Sequence, residues 1–158
     1  MEIGTAIREK AGDDWIPLIY REKVRSQRTR SFAMDIPERE NAAEIQHTLL
    51  GVELKVRKTR FSCPDLATAR YLRVFARLGC RGVALPYDIT RISLIADELE
   101  VAWHKFLLII DEGTRQTSPQ ARGRVRAALI RDIRGEIAEM GAGDIMPEFK
   151  DTTRQRKS

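Results

Sequence analysis

The chain has 158 residues, 42% of them apolar and 32% charged, with a formal net charge of +5 at neutral pH; that is enough for one domain with a real core and excludes a disordered polyelectrolyte. Its longest purely apolar run, 106–110, is too short to span a bilayer, and the charged opening MEIGTAIREKAGDDW does not read as a secretory leader. Cys63 and Cys80 lack a CxxC spacing or histidine partners, so they support neither a disulfide framework nor a zinc site and read as buried free thiols of a cytoplasmic protein.

In chain order, residues 1–14 are polar and weakly patterned. The stretch WIPLIY at 15–20 has β character, with Pro17 restricting it to an edge or a strand start. A basic run follows at 21–30, five cations against Glu22, and 31–36 reads as a strand. Pro37 with Glu38 and Glu40 behind it resembles a helix start, predicting a helix from 37 to about 50 that Gly51 stops. Leu50, Val52, Leu54 and Val56 then alternate with Gly51, Glu53 and Lys55, the period of a half-buried strand. Arg57 to Thr59 makes a tight turn, and Phe61 and Cys63 alternate on the returning strand. Asp65 caps a helix that Gly79 ends, a short strand covers 81–87, and Asp88 caps the longest helix, to about Glu112. Ser118 and Pro119 open a last helix reaching Met140, and the final eight residues read as disordered.

From 31 to 87 this order is strand, helix, strand, strand, helix, strand. It predicts an α+β fold with a ferredoxin-like βαββαβ sheet domain followed by a C-terminal helical hairpin. The parts are an N-terminal segment 1–30, a core 31–87, a hairpin 88–141 and a tail 142–158.

The charge is concentrated. Lys55, Arg57, Lys58, Arg60, Arg70, Arg73, Arg77 and Arg81 stand against Asp65 alone, a net +7 within 27 residues, which leaves the remainder of the chain at −2. On the helix 66–79, Arg70, Arg73 and Arg77 fall within about 60° of one another, on a helix otherwise almost wholly apolar and without an acid three or four residues away. Arg81 continues this rail, and Arg57, Lys58 and Arg60 extend it if the hairpin turn curls toward the helix's N-terminal end. Such a line of planar guanidinium forks suits phosphate, so the leading expectation is a non-catalytic module contacting nucleic-acid backbone. Its bland counterpart is a polar stripe neutralised from within, for which the acidic helix 89–112 supplies Asp97, Glu98, Glu100, Asp111 and Glu112. With 6% aromatics and no RGFGFV-like stretch, base stacking of the RNA-recognition kind is not expected.

Two further readings come from other classes. Glu53 and Lys55 share one strand face, an arrangement similar to the metal-holding acid and lysine of PD-(D/E)xK nucleases, with Asp35 as the upstream acid. The helix 89–112 has two apolar sides: Ile92, Ile95, Leu99, Trp103, Phe106 and Ile110 form the broad one, and Leu94, Val101 and Leu108, spaced by sevens, form a narrow one. One side faces the core. The other is either covered by the helix 119–140, whose Arg124, Arg131 and Arg134 then meet its acids, or forms a homodimer seam of a protein-interaction or regulatory subunit. His47 and His104 lack a metal-ligand spacing, and no Gly-rich phosphate loop, G-x-S-x-G or H-E-x-x-H is present, so no cofactor or metal is expected.

Overall fold

The computed structural model describes residues 3–143. The chain opens with helix α1 (Ile3–Ala11), a 3₁₀ turn (Gly12–Asp14) and the short helix α2 (Ile16–Ile19), which widens into a π turn (Tyr20–Val24). Strand β1 (Thr29–Ala33) follows, then β2 (Ala43–Thr48), β3 (Gly51–Val56) and β4 (Thr59–Cys63). After these come helix α3 (Leu66–Leu78), strand β5 (Gly82–Pro86) and the long helices α4 (Ile89–Gly113) and α5 (Pro119–Met140).

The strands form two antiparallel sheets: β1 with β5, and the meander β2–β3–β4. The fold is therefore α+β, but its strands do not take the ferredoxin-like order. The reason lies at 37–50, where the predicted helix is a loop and then β2. Ala43 and Ile45 stand opposite Val56 and Leu54 in the register, so the segment alternates toward the core and gains its hydrogen bonds from β3. Pairing along a neighbouring strand outweighs the modest helix preference that Pro37 and its acids suggested. Asn41 fixes the bend: its Nδ2 donates to the carbonyls of Pro37, Arg39 and Ala76 at 3.0, 2.9 and 3.2 Å.

The N-terminal reading also changes. Residues 3–11 are helical with Ile7 and Ala11 buried, and the stretch 15–20 holds the helix Ile16–Ile19, with Trp15 as its cap and Tyr20 opening the π turn, instead of a strand. Trp15, Ile16, Ile19 and Tyr20 repeat at helical spacing, and Pro17 falls within the first turn, where its missing N–H is harmless. The expected disorder of the last eight residues concerns positions outside the described ones.

The other boundaries follow their caps. Asp65 Oδ1 accepts from Thr68 N at 2.7 Å, Asp88 Oδ1 from Thr90 N at 2.9 Å, and Ser118 Oγ from Ala121 N at 3.1 Å. Gly79 closes α3 at φ +79°, where an added Cβ would collide with the Arg39 backbone.

One buried cluster runs from Ile7 to Ile137. The helix α3 is central in it: the meander packs on one side and α4 on another. Two tyrosines lock β5 to the helices. Tyr71 Oη donates to Ala84 O at 2.5 Å, and Tyr20 Oη accepts from Ala84 N at 3.0 Å while donating to Gly141 O at 2.6 Å. Cys63 and Cys80 are buried free thiols, and no helix among the described residues is long and apolar enough to cross a membrane.

Candidate interaction surface

The rail exists as a line on α3, and α4 runs alongside it in the same direction. Arg70 meets Asp97 and Glu100, Arg73 meets Glu100, and Arg77 lies over Trp103, so the contacts climb both helices together. Arg70 Nη2 donates to Glu100 Oε1 at 2.6 Å and to Asp97 Oδ1 at 2.5 Å, and Arg73 Nη2 donates to Glu100 Oε2 at 2.7 Å. Both Arg70 and Glu100 keep less than a quarter of their side-chain surface in water, whereas Asp97 is 61% exposed. Glu100 is therefore the partner that matters, because an exposed pair contributes little.

The electrostatics agree with the geometry. Burial acts to raise Glu100's carboxyl, but the hydrogen bonds from Arg70 and Arg73 outweigh it and hold the group below the usual carboxylate range. The same bonds raise Arg70's proton affinity further. Arg70 and Arg73 thus face two acids of α4, and the field a phosphate would meet at those two cations is much reduced.

The other candidates are spread over several elements. Arg81 Nε donates to Ile36 O at 2.7 Å. Arg60 Nη1 reaches Gln46 at 2.9 Å and Glu53 at 3.3 Å across the outer face of the meander. Arg57 and Lys58 are exposed in the β3–β4 turn, with Arg57 at φ +57° and its Nε on Asn41 Oδ1 at 2.7 Å. Asn41 N in turn donates to Arg77 O at 3.2 Å. The turn therefore reaches the C-terminal end of α3, opposite to the N-terminal end that extension of the rail requires.

Glu53 and Lys55 share the outer face of β3, as the alternation predicted, and Glu53 is engaged by Arg60. Asp35 is exposed in the loop after β1, between buried Met34 and Ile36. Among the described residues no group of three or more His, Cys, Asp or Glu is placed to hold a metal ion.

The α4 seam residues are where their spacing put them. Ile92, Ile95, Leu99, Trp103, Phe106 and Ile110 are buried, while Leu94, Val101 and Leu108 are 60%, 60% and 65% exposed. The helix α5 does not cover that line. Of the arginines expected to meet α4's acids, Arg134 Nη1 donates instead to Leu78 O at 2.9 Å, and the neighbouring Arg126 binds Glu40 while also lying within reach of the charge of Asp111. His47 and His104 are both exposed.

Two features escaped the sequence. Leu49, inside the predicted helix 37–50, and Leu50, expected at the head of the strand alternation, are instead both fully exposed at the β2–β3 tip. Asn41 gave no local signal, since its role depends on the backbone at the end of α3 and on the Arg57 side chain. Comparison with family models, curated proteins and solved structures finds no match to this chain.

Proposed function

We propose that this chain is a non-catalytic protein-interaction module that pairs with a second copy of itself through the outer face of α4. The single observation carrying this reading is the exposed line Leu94, Val101 and Leu108 on a 25-residue helix whose other apolar side is fully used. Isolated surface leucines need no explanation, but three in heptad register form the narrow stripe of a helix-pairing seam.

The flanking charges select the orientation. On an ideal helix Arg91, Glu98, Lys105 and Glu112 line one side of the stripe, and Thr90, Asp97, His104 and Asp111 the other. In an antiparallel pair centred on Val101, Leu94 of one copy meets Leu108 of the other. Glu98 then faces Lys105, Arg91 faces Glu112 and Asp97 faces His104, with no like charges opposed. A parallel pair would instead set Asp97 against Glu98 and Asp111 against Glu112. Such charge rows discriminate between orientations more than they add affinity.

Sedimentation equilibrium tests this. The wild-type chain is expected to dimerise at submillimolar concentration, and Val101→Glu to stay monomeric with unchanged circular dichroism. Arg91→Glu or Glu112→Arg alone should weaken the dimer about tenfold, since each reverses two symmetric pairs, and the double swap should restore it. A monomeric wild type ends the proposal. Tighter association in Glu98→Lys would identify a parallel pair, because that change relieves Asp97 opposite Glu98.

Contact with nucleic-acid backbone is the second reading, favoured by the exposed Arg57 and Lys58. A salt series of duplex binding with Arg57→Ala/Lys58→Ala should flatten the slope of log K by about 2. The same series with Arg70→Ala/Arg73→Ala should leave it nearly unchanged, since those charges are engaged by α4.

A further inference from the structure

Arg77 differs from the two arginines that precede it on the rail. Its guanidinium carbon lies 6.0 Å from the centre of the Trp103 ring, and no carboxylate among the described residues forms an ion pair with it. Glu100, whose charge reaches it, has both oxygens engaged by Arg70 and Arg73. Burial, reinforced by the neighbouring charge of Arg73, holds the Arg77 guanidinium below its ordinary range. A cation drawn partly out of water without a bonded counter-ion is an electrostatic demand that a bound anion would satisfy.

Arg77 lines a cleft of about 520 Å³ together with Asn41, Trp103, His104, Leu107 and Arg126. Glu40, the acid in its wall, is held bidentately by Arg126 through Nε and Nη2. That leaves Arg126 Nη1 and the whole Arg77 fork for another acceptor. Arg57, anchored on Asn41 Oδ1, adds a further cation beside the cleft.

We propose that this cleft binds the phosphate group of a small phosphorylated ligand, with Arg77 as the principal anchor and Arg126 as a flanking donor. Phosphate is favoured over a simple carboxylate because two guanidinium groups line one site with a third cation, Arg57, beside it, and a tetrahedral dianion can accept from more than one of them at once.

Calorimetric titration with ribose 5-phosphate at fixed ionic strength tests the proposal, with ribose as the uncharged control. Saturable binding of ribose 5-phosphate but not ribose is expected. Arg77→Met should weaken it at least about tenfold without lowering the melting temperature, because the change removes a cation held partly out of water. Should Arg77→Met fail to fold, Arg77→Lys carries the same test, since it keeps the charge and loses the fork. Val101→Glu should bind as wild type does, so this proposal and the α4 pairing fail separately. No saturable binding, or equal affinity in the Arg77 variants, overturns the site. Binding of a short single-stranded oligonucleotide through Arg77 with none of ribose 5-phosphate would place the phosphate on a polymer and overturn the small-ligand assignment.

Discussion

At the scale of residues, Glu100 joins α3 to α4 more firmly than any arginine of the rail, because it accepts from Arg70 and Arg73 at once. Glu100→Gln leaves two partly buried guanidinium groups short of their acceptor and is expected to cost about 2 kcal/mol. The sign with pH follows from its depressed carboxyl. A group whose folded pKa lies below its unfolded value stabilises fully above the unfolded pKa and loses that contribution as pH falls through the folded one. The wild type should therefore lose stability below about pH 4.5 more steeply than Glu100→Gln, which urea titrations at a series of pH values will measure. An equal acid slope would show that Glu100 is not the group responsible. Gly79 is the other residue with a defined role. It sits at φ +79° with the Arg39 backbone in the space a methyl group would need, so Gly79→Ala should destabilise by more than about 2 kcal/mol. A loss under 0.5 kcal/mol, on the order of an ordinary surface change, would mean the 38–40 loop moves freely away.

At the scale of elements, the helices α3, α4 and α5 were legible because their signals are local. Asp65, Asp88 and Ser118 satisfy N–H groups two or three residues ahead, and Gly79 supplies a left-handed residue at the stop. The strands β3 and β4 were legible for a similar reason, the two-residue alternation. The strand β2 was not, since Ala43–Thr48 carries only Ala43 and Ile45 as core-facing apolar positions and takes its conformation from β3. The α1 and α2 segments were missed where a few buried positions, Ile7 and Ala11 or Trp15 and Ile19, stand among polar neighbours. On α4, the heptad spacing of Leu94, Val101 and Leu108 identified a distinct side, and its lack of cover is what supports helix pairing.

At the scale of the whole molecule, the helices and both sheets converge on one core, and Cys80 reports on it. Burial pushes its thiol up to about 12, and burial also raises Cys63. Since the thiolate is the reactive form, native protein at neutral pH should label slowly with iodoacetamide at both positions. Labelling of Cys80 is expected to follow the same urea dependence as the loss of helical circular dichroism, because reaching it requires α3 and β5 to separate. Rapid labelling of Cys80 in native buffer would instead show that this part of the core opens on its own.

The sequence alone determined the caps, the α+β class, the arginine line on α3 and the two-sided character of α4, since each follows from spacing along a single element. Only the tertiary structure decided which charges remain available. It set Glu100 and Asp97 of α4 beside Arg70 and Arg73, left Arg77 over Trp103 without an ion pair among the described residues, and brought Arg57 to Asn41 from a distant turn. Counter-ion pairing depends on distances of a few ångströms between segments far apart in the chain, and a local count of charges carries no information about those distances.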